Sequence, residues 1–490
     1  MTPALLLLSF LLYTILLFVV SIITSRRATN ETFYLGNRKS PWYVVSYGMI
    51  GASLSGVTFM SVPGWVGSSQ FSYFMIVIGY LFGYFVIANV LLPLYYRLNL
   101  TSIYTYLEGR FGFWSYKTGA FYFLLSRILG ASLRMFLVVW VLQNYIFNPW
   151  GFPFWLTVVI FISLIILYTL KGGVRTIVWT DTLQTTFMLL AVILSIVLIG
   201  KDMNISLSDL VSRIFSSDYT RIIVTDWAPK NNFIKQFFSG MFITIVMTGL
   251  DQEMMQKNLS CRNIGEAKKN MITFSFVLVL VNFVFLVLGA TLLIYANSKG
   301  IDLSVLSGSD DIFPTITLKY LGPLAGLVFF IGLISAAYPS ADGALTSLTT
   351  SFTIDILGIN KKTHLTENQK IRIRYLVHIS IALVMMIVIL AFRSFYDKAL
   401  IDKLFTIAGY TYGPLLGLYA FGLFTKRRAS DSFTPFIAVI SPVVCYLLAE
   451  HSAELFNGYK FGFELLIVNG LITFRSEERR VGKECRSRWS

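Results

Sequence analysis

The sequence predicts an all-α polytopic membrane protein of about thirteen transmembrane helices, with a core of two five-helix halves. Three observations carry that expectation. Of the 490 residues, 56% are hydrophobic and only 13% are charged, against about 25% charged in an ordinary soluble domain. The apolar residues gather into runs of the length a helix needs, about 20 residues, to cross roughly 30 Å of hydrocarbon. Two of those runs, five apart in order, are interrupted by glycine and polar residues, the pattern of helices broken at a transport site. Such a composition excludes a disordered chain and a water-soluble domain, since neither leaves so much apolar side chain without a charged exterior.

The runs fall at approximately 4–24, 42–66, 72–96, 118–147, 153–170, 176–199, 233–256, 271–296, 322–353, 375–393, 404–424, 433–450 and 459–474. The first lacks a basic leader and an evident cleavage site, so it reads as a retained helix. Basic residues mark the cytoplasmic side. With the N-terminus outside, the inner connections hold 21 Lys and Arg against 6 acidic residues, and the outer ones 11 against 12. The net charge of +15 is therefore a topology signal, and it requires no nucleic-acid partner. Cys261, Cys445 and Cys485 offer no disulfide framework or metal-ligand spacing and read as free thiols. The division expected is an extra N-terminal helix with an inner loop (1–40), a first five-helix repeat (41–200), a second (201–428), peripheral C-terminal helices of which the last is cut short (429–474), and a tail (475–490). Nine of the sixteen tail residues are charged, and the segment reads as non-native sequence; an ordinary basic cytoplasmic tail is the competing view.

Polar groups inside spans are costly and mark working parts. The second run contains Gly51-Ala52-Ser53-Leu54-Ser55-Gly56, then Thr58, Ser61 and Pro63-Gly64. The seventh contains Thr248-Gly249-Leu250-Asp251-Gln252-Glu253. Small residues also serve plain helix packing, but two interruptions at a five-helix offset point to an inverted repeat. The ninth run reads Ser335-Ala336-Ala337-Tyr338-Pro339-Ser340-Ala341-Asp342-Gly343. Ser340, Gly343 and Ser347 share a helical face, and hydroxyls, carbonyls and a carboxylate suit a hard cation such as sodium. Asp342 lies about 160° round from Ser340 on a regular helix, so Pro339 must distort the helix if both serve one ion. The competing view is a hydroxyl-rich helix bonded to its own backbone. Asp181 sits about two turns inside the sixth run. A bare carboxylate there binds a cation, takes a proton, or pairs with Arg127 or Arg134. Those arginines share a face of the fourth run; they neutralise Asp181, Asp251 or Asp342, or attract an anionic solute. The sequence leaves these alternatives open.

Five segments, from about residue 30 to 430, resemble the sodium:solute symporter family: YTLKGGVRTIVWTDTLQ (168–184), GYTYGPLLGLYAFGLF (409–424), SLSGVTFMSVPGW (53–65), YLEGRFG (106–112) and the pair Gln256-Lys257. The resemblance implies a LeuT-type 5+5 inverted-repeat core formed by the second to eleventh runs. It implies a sodium site of the Gly51, Leu54 and Ala336 carbonyls and the Ser340 hydroxyl, with Pro339 replacing a second hydroxyl residue, so that only its carbonyl contributes. Asp181 and Asp342 stand for a second cation or a proton. Ser55, Thr58 and Tyr73 match solute-contacting residues of sialic-acid and sugar carriers. Val77 and Gly130 stand where those carriers use a glutamine and an arginine, which argues against sialic acid itself. Arg134, one turn on, is the replacement considered, and Asp251 and Gln252 complete the expected solute set. The function implied is sodium-coupled symport of a sugar, sugar acid or other organic anion by alternating access. The expected chain is a monomer in the bilayer of a bacterial inner membrane, with sodium as coupling ion, no organic cofactor and no enzymatic activity. The rivals are a proton-coupled symporter on the same scaffold, a membrane enzyme and a solute sensor. His364, His378 and His451 form no catalytic cluster, and no signalling domain is encoded in these residues.

Overall fold

A computed structural model describes residues 2–25, 29–306, 308–395, 400–427 and 430–475, and every regular element among them is helical. The expected non-native tail lies, beyond Arg475, outside the described residues. Each apolar run falls on a helix. They are α1 (Pro3–Thr24); α2, in two halves, α2a (Trp42–Ser53) and α2b (Gly56–Ser69); α3 (Tyr73–Val86, continuing to Arg97); α4 (Phe113–Leu142); α5 (Phe154–Leu170) and α6 (Gly173–Asp202). The second half follows with α7a (Phe233–Gly249) and α7b (Gln252–Leu259), α8 (Ile264–Lys299), α9 (Pro323–Ser351), α10 (Glu367–Phe392) and α11 (Leu400–Phe424). Then come α12 (Thr434–Glu450) and α13 (Leu465–Arg475). Among the described residues eight helices are individually long and apolar enough to span a bilayer, and the two bent halves of α7 together make a ninth.

Several helices outrun their apolar cores because polar caps carry them on. The Asn263 side chain accepts the Glu266 N–H at the start of α8, and Thr366 with Gln369 forms a reciprocal cap at the start of α10. Each cap satisfies N–H groups that a helix start leaves without partners. The chain turns sharply between α5 and α6 at Gly173 (φ 53°, ψ −144°). Only glycine serves there, since a β-carbon would be strained at that φ and would collide with Phe33.

Close crossings rest on small residues. α7a lies against α3 where Gly79 faces the Phe237 carbonyl and Gly240 faces the Ile76 carbonyl, with no room for a side chain at either glycine. α13 is seated on α11 at Gly413 and Gly417, which face Asn469 and Thr473. α9 packs chiefly on α5 and α6, and α11 on α4. α1 lies outside this core and is tied to it by Thr14 to the Tyr338 hydroxyl (2.9 Å) and Ser21 to the Tyr168 carbonyl (2.7 Å). Its far side exposes Leu8, Leu12, Ile15 and Ile22, the apolar surface that lipid contact demands.

Candidate transport site

α2 breaks because Leu54 (φ −90°, ψ 94°) and Ser55 (φ −85°, ψ 176°) are extended. The Leu54 N–H still reaches the Ile50 carbonyl (2.8 Å), and the Phe59 N–H the Ser55 carbonyl (2.9 Å). Among the described residues, no main-chain N–H reaches the carbonyls of Gly51, Ala52, Ser53 or Leu54. Unpaired carbonyls inside a membrane are costly, and a hard cation is a partner suited to them. Gly51 is pinned to α6 by its N–H on Thr185 Oγ1 (3.0 Å), in contact too close for a side chain.

α9 runs through Pro339 as one regular helix. One face turns to α2, α6 and α7b: Gly332 meets Phe59 and Ala191, Gly343 meets Glu253, and Thr350 accepts from Gln256 (2.9 Å). Ala336 and Ser340 lie on that face by helical spacing. Ser340 Oγ is buried with no hydrogen-bond partner among the described residues. The opposite face meets α1, α5 and α10. Tyr338 reaches Thr14 there, Asp342 Oδ2 accepts from the Tyr168 hydroxyl (2.7 Å), and Thr349 bonds His378 (2.9 Å).

One expectation is corrected here. α9 stays helical through Pro339, so Ser340 and Asp342 lie about 160° apart and face opposite sides of it. By lacking an N–H, Pro339 also releases the Ser335 carbonyl, four residues back.

Beside the α2 break lies a cavity bounded by α2, α3, α4, α7, α8 and α11. Ser55, Thr58, Tyr73 and Arg134 line it. Asp251 and Gln252 do not, and the expectation that they bind solute is corrected by their other commitments. Asp251 Oδ1 caps α7b by accepting the Glu253 and Met254 N–H groups (2.9 and 3.3 Å), and its Oδ2 accepts from the Tyr412 hydroxyl (2.7 Å). Gln252 holds the α3–α4 loop, donating to the Thr101 carbonyl (2.8 Å) and accepting from the Ile103 N–H (3.0 Å).

Arg134 is 7% exposed. Its Nε lacks a hydrogen bond, and among the described residues no carboxylate lies in ion-pair range of its guanidinium. Sequence reasoning overlooked Tyr80, Tyr84, Asn282 and Phe405 on the same walls, and named Thr248 only as part of the α7 break. Asn282, an amide in an otherwise apolar run, was the readable signal. Its Nδ2 donates to the Leu278 carbonyl (2.8 Å), which leaves Oδ1 without a partner. Tyr73, Trp65, Phe463 and Phe405 form an aromatic chain at one end of the cavity, with centroids 5.7, 6.4 and 4.9 Å apart.

A buried charge network surrounds α7b. Arg127 pairs with Glu253, and its Nη1 is 3.7 Å from Asp251 Oδ2. Lys257 Nζ lies 2.7 Å from Asp181 Oδ2 and 3.4 Å from Glu253 Oε1. Of the alternatives left open for Asp181, pairing with Arg127 or Arg134 is not the one formed: its partner is Lys257. Counted by sequence with the inner connections, Lys257 is instead 2% exposed inside α7b. Asp181 and Asp342, expected to hold a second cation or a proton together, have separate partners on different helices.

Two broken helices at matching places in successive five-helix units, beside an open set of carbonyls and a polar-lined cavity, define a secondary active transporter. The profile of the sodium:solute symporter family matches residues 33–432, and the chain belongs to that family. It is 25% identical to the sodium/sialic acid symporter of Proteus mirabilis (strain HI4320), over 92% of this chain and 90% of that protein. It is 24% identical to the sodium/sialic acid symporter of Aliivibrio fischeri (strain ATCC 700601 / ES114), over 91% and 88%. In fold it resembles the substrate-bound outward-open structure of a Na+-coupled sialic acid symporter, with a TM-score of 0.82 at 20% identity over 97% of both chains. The chain is thus a multi-pass membrane protein of the LeuT-type 5+5 fold, a sodium-coupled solute transporter and not an enzyme.

Proposed function

We propose that this chain works as a monomer in a bacterial inner membrane, N-terminus outside, and uses sodium to drive uptake of a small organic anion by alternating access. The observation that carries the solute class is Arg134: a buried guanidinium on the wall of the cavity, with no carboxylate among the described residues in ion-pair range. Such a charge demands an anion, and a guanidinium binds a carboxylate through two parallel hydrogen bonds. Around it Ser55, Thr58, Tyr73 and Asn282 offer hydroxyl and amide partners, which favours a hydroxylated acid such as a sugar acid over a bare fatty anion. Sodium is assigned to the carbonyls of Gly51 and Leu54, to Ala336 and to the unpartnered hydroxyl of Ser340. Asp181 and Asp342 are left to structural pairings with Lys257 and Tyr168. The named substrates of the relatives support a sugar acid without fixing which one.

The test is a thermal-shift screen of N-acetylneuraminate, glucuronate, gluconate, lactate, proline and glucose, each in sodium and in choline buffer. The expected result is stabilisation by one or more carboxylates, in sodium only, that Arg134→Ala removes while sodium alone still stabilises the variant. Stabilisation by a neutral sugar that survives Arg134→Ala overturns the assignment.

A further inference from the structure

Sodium-coupled transport sets a count, the number of ions that accompany each solute. Asp181 is a buried carboxylate, with the oxygen chemistry to hold a second ion. It lies on α6 one helical turn before Thr185, the residue that pins Gly51 at the α2 break, and its β-carbon is 3.0 Å from where one would sit on Gly48 of α2a. The carboxylate is therefore buried on the same α2a–α6 seam as the proposed sodium cradle, and in low dielectric it requires a positive partner.

That partner is supplied by the chain. Lys257 Nζ lies 2.7 Å from Asp181 Oδ2 and 3.4 Å from Glu253 Oε1. The Glu253 carboxylate in turn fills the space left open by Gly343 of α9 and pairs on its other side with Arg127. The ammonium is thus bracketed by two carboxylates at a place where α2a, α6, α7b and α9 converge. It carries the charge of one sodium ion, but it is covalently tied to α7b and cannot leave with the solute.

We propose that the Lys257 ammonium is a tethered cation that occupies the second alkali-ion position beside Asp181, so that each transport cycle carries a single sodium ion, bound at the α2 break. The count rests on the sodium assignment made above, and the experiment separates the two.

Radioactive sodium is titrated to saturation on the purified full chain in lipid nanodiscs. The expected result is one ion per chain with a Hill coefficient of one, unchanged in Lys257→Arg. In Lys257→Met the Asp181 carboxylate loses its cation while Glu253 keeps Arg127, and a second ion is expected to bind beside Asp181. Because a bare buried carboxylate threatens folding, the paired variant Asp181→Asn with Lys257→Met removes one charge of each sign; it is expected to keep one ion at unaltered affinity. Two ions per wild-type chain, a folded Lys257→Met that still binds one, or loss of sodium by the paired variant would each overturn the proposal. Ser340→Ala distinguishes its failure from that of the cradle: weakened binding in this variant supports the α2 position, and unaltered binding removes the ion from it.

Discussion

At the scale of single residues, the site divides into side chains with every bond made and side chains with one bond missing. Asp251 and Gln252 belong to the first group, since hydroxyls and amides of the protein already meet them. Ser340, Arg134, Asn282 and Asp342, whose Oδ1 has no partner among the described residues, belong to the second. Ser340→Ala removes an oxygen from the proposed ion shell while leaving no other group orphaned. Its expected effect is a loss of about tenfold in sodium affinity, equivalent to about 1.4 kcal/mol, with the helix and the melting temperature preserved. Sodium titration of tryptophan fluorescence measures it, and an unaltered midpoint counts against the assignment. Residue identity made Ser340 and Arg134 legible from sequence, because a hydroxyl or a guanidinium in a span is conspicuous. It misjudged Asp251 and Gln252, because sequence shows that a polar group is near a break but not whether neighbours have already satisfied it. Lys257, named in the Gln256-Lys257 pair, was counted as a connection charge for a related reason: at the end of an apolar run, a lysine looks like a loop charge until the short helix α7b is seen to be buried.

At the scale of elements, the two breaks have different endings. In α2 the carbonyls of Gly51 to Leu54 lack main-chain partners. In α7 the carbonyls of Gly249 and Leu250 accept the hydroxyls of Tyr95 and Tyr104, each at 2.8 Å, and Asp251 caps the helix that follows at a bend of 64°. The glycine and hydroxyl clusters predicted both interruptions. The asymmetry was not predictable, since Tyr95 and Tyr104 lie roughly 150 residues away in sequence and only the fold brings them near. Tyr104→Phe keeps the ring and deletes the hydroxyl, so the Leu250 carbonyl is left buried without a donor. That costs about 1–3 kcal/mol, and the variant is expected to melt lower while retaining sodium binding. An unaltered melting temperature in detergent would mean that another donor reaches that carbonyl.

At the scale of the whole molecule, the fold was legible because the bilayer imposes it: runs of apolar residues long enough to span it admit only helices when they cross one by one. The energetics of transport follow from counting charges that cross together. A membrane potential contributes about 2.3 kcal/mol per 100 mV for each net charge moved. One sodium ion carried with one monocarboxylate moves no net charge. The fixed partners Lys257, Arg127 and Arg134 stay with the protein and add none over a complete cycle. The potential then does no work, and accumulation is set by the sodium gradient alone: tenfold for a tenfold gradient, about 1.4 kcal/mol. In proteoliposomes loaded with potassium, with the carboxylate found by the screen and a fixed inward sodium gradient, valinomycin creates an interior-negative potential. The expected outcome is that this leaves the steady-state accumulation of the carboxylate unaltered, whereas collapsing the sodium gradient abolishes it. Accumulation that rises with the potential would require a second cation in the cycle, and would return Asp181 to the role of an ion ligand that Lys257 now denies it.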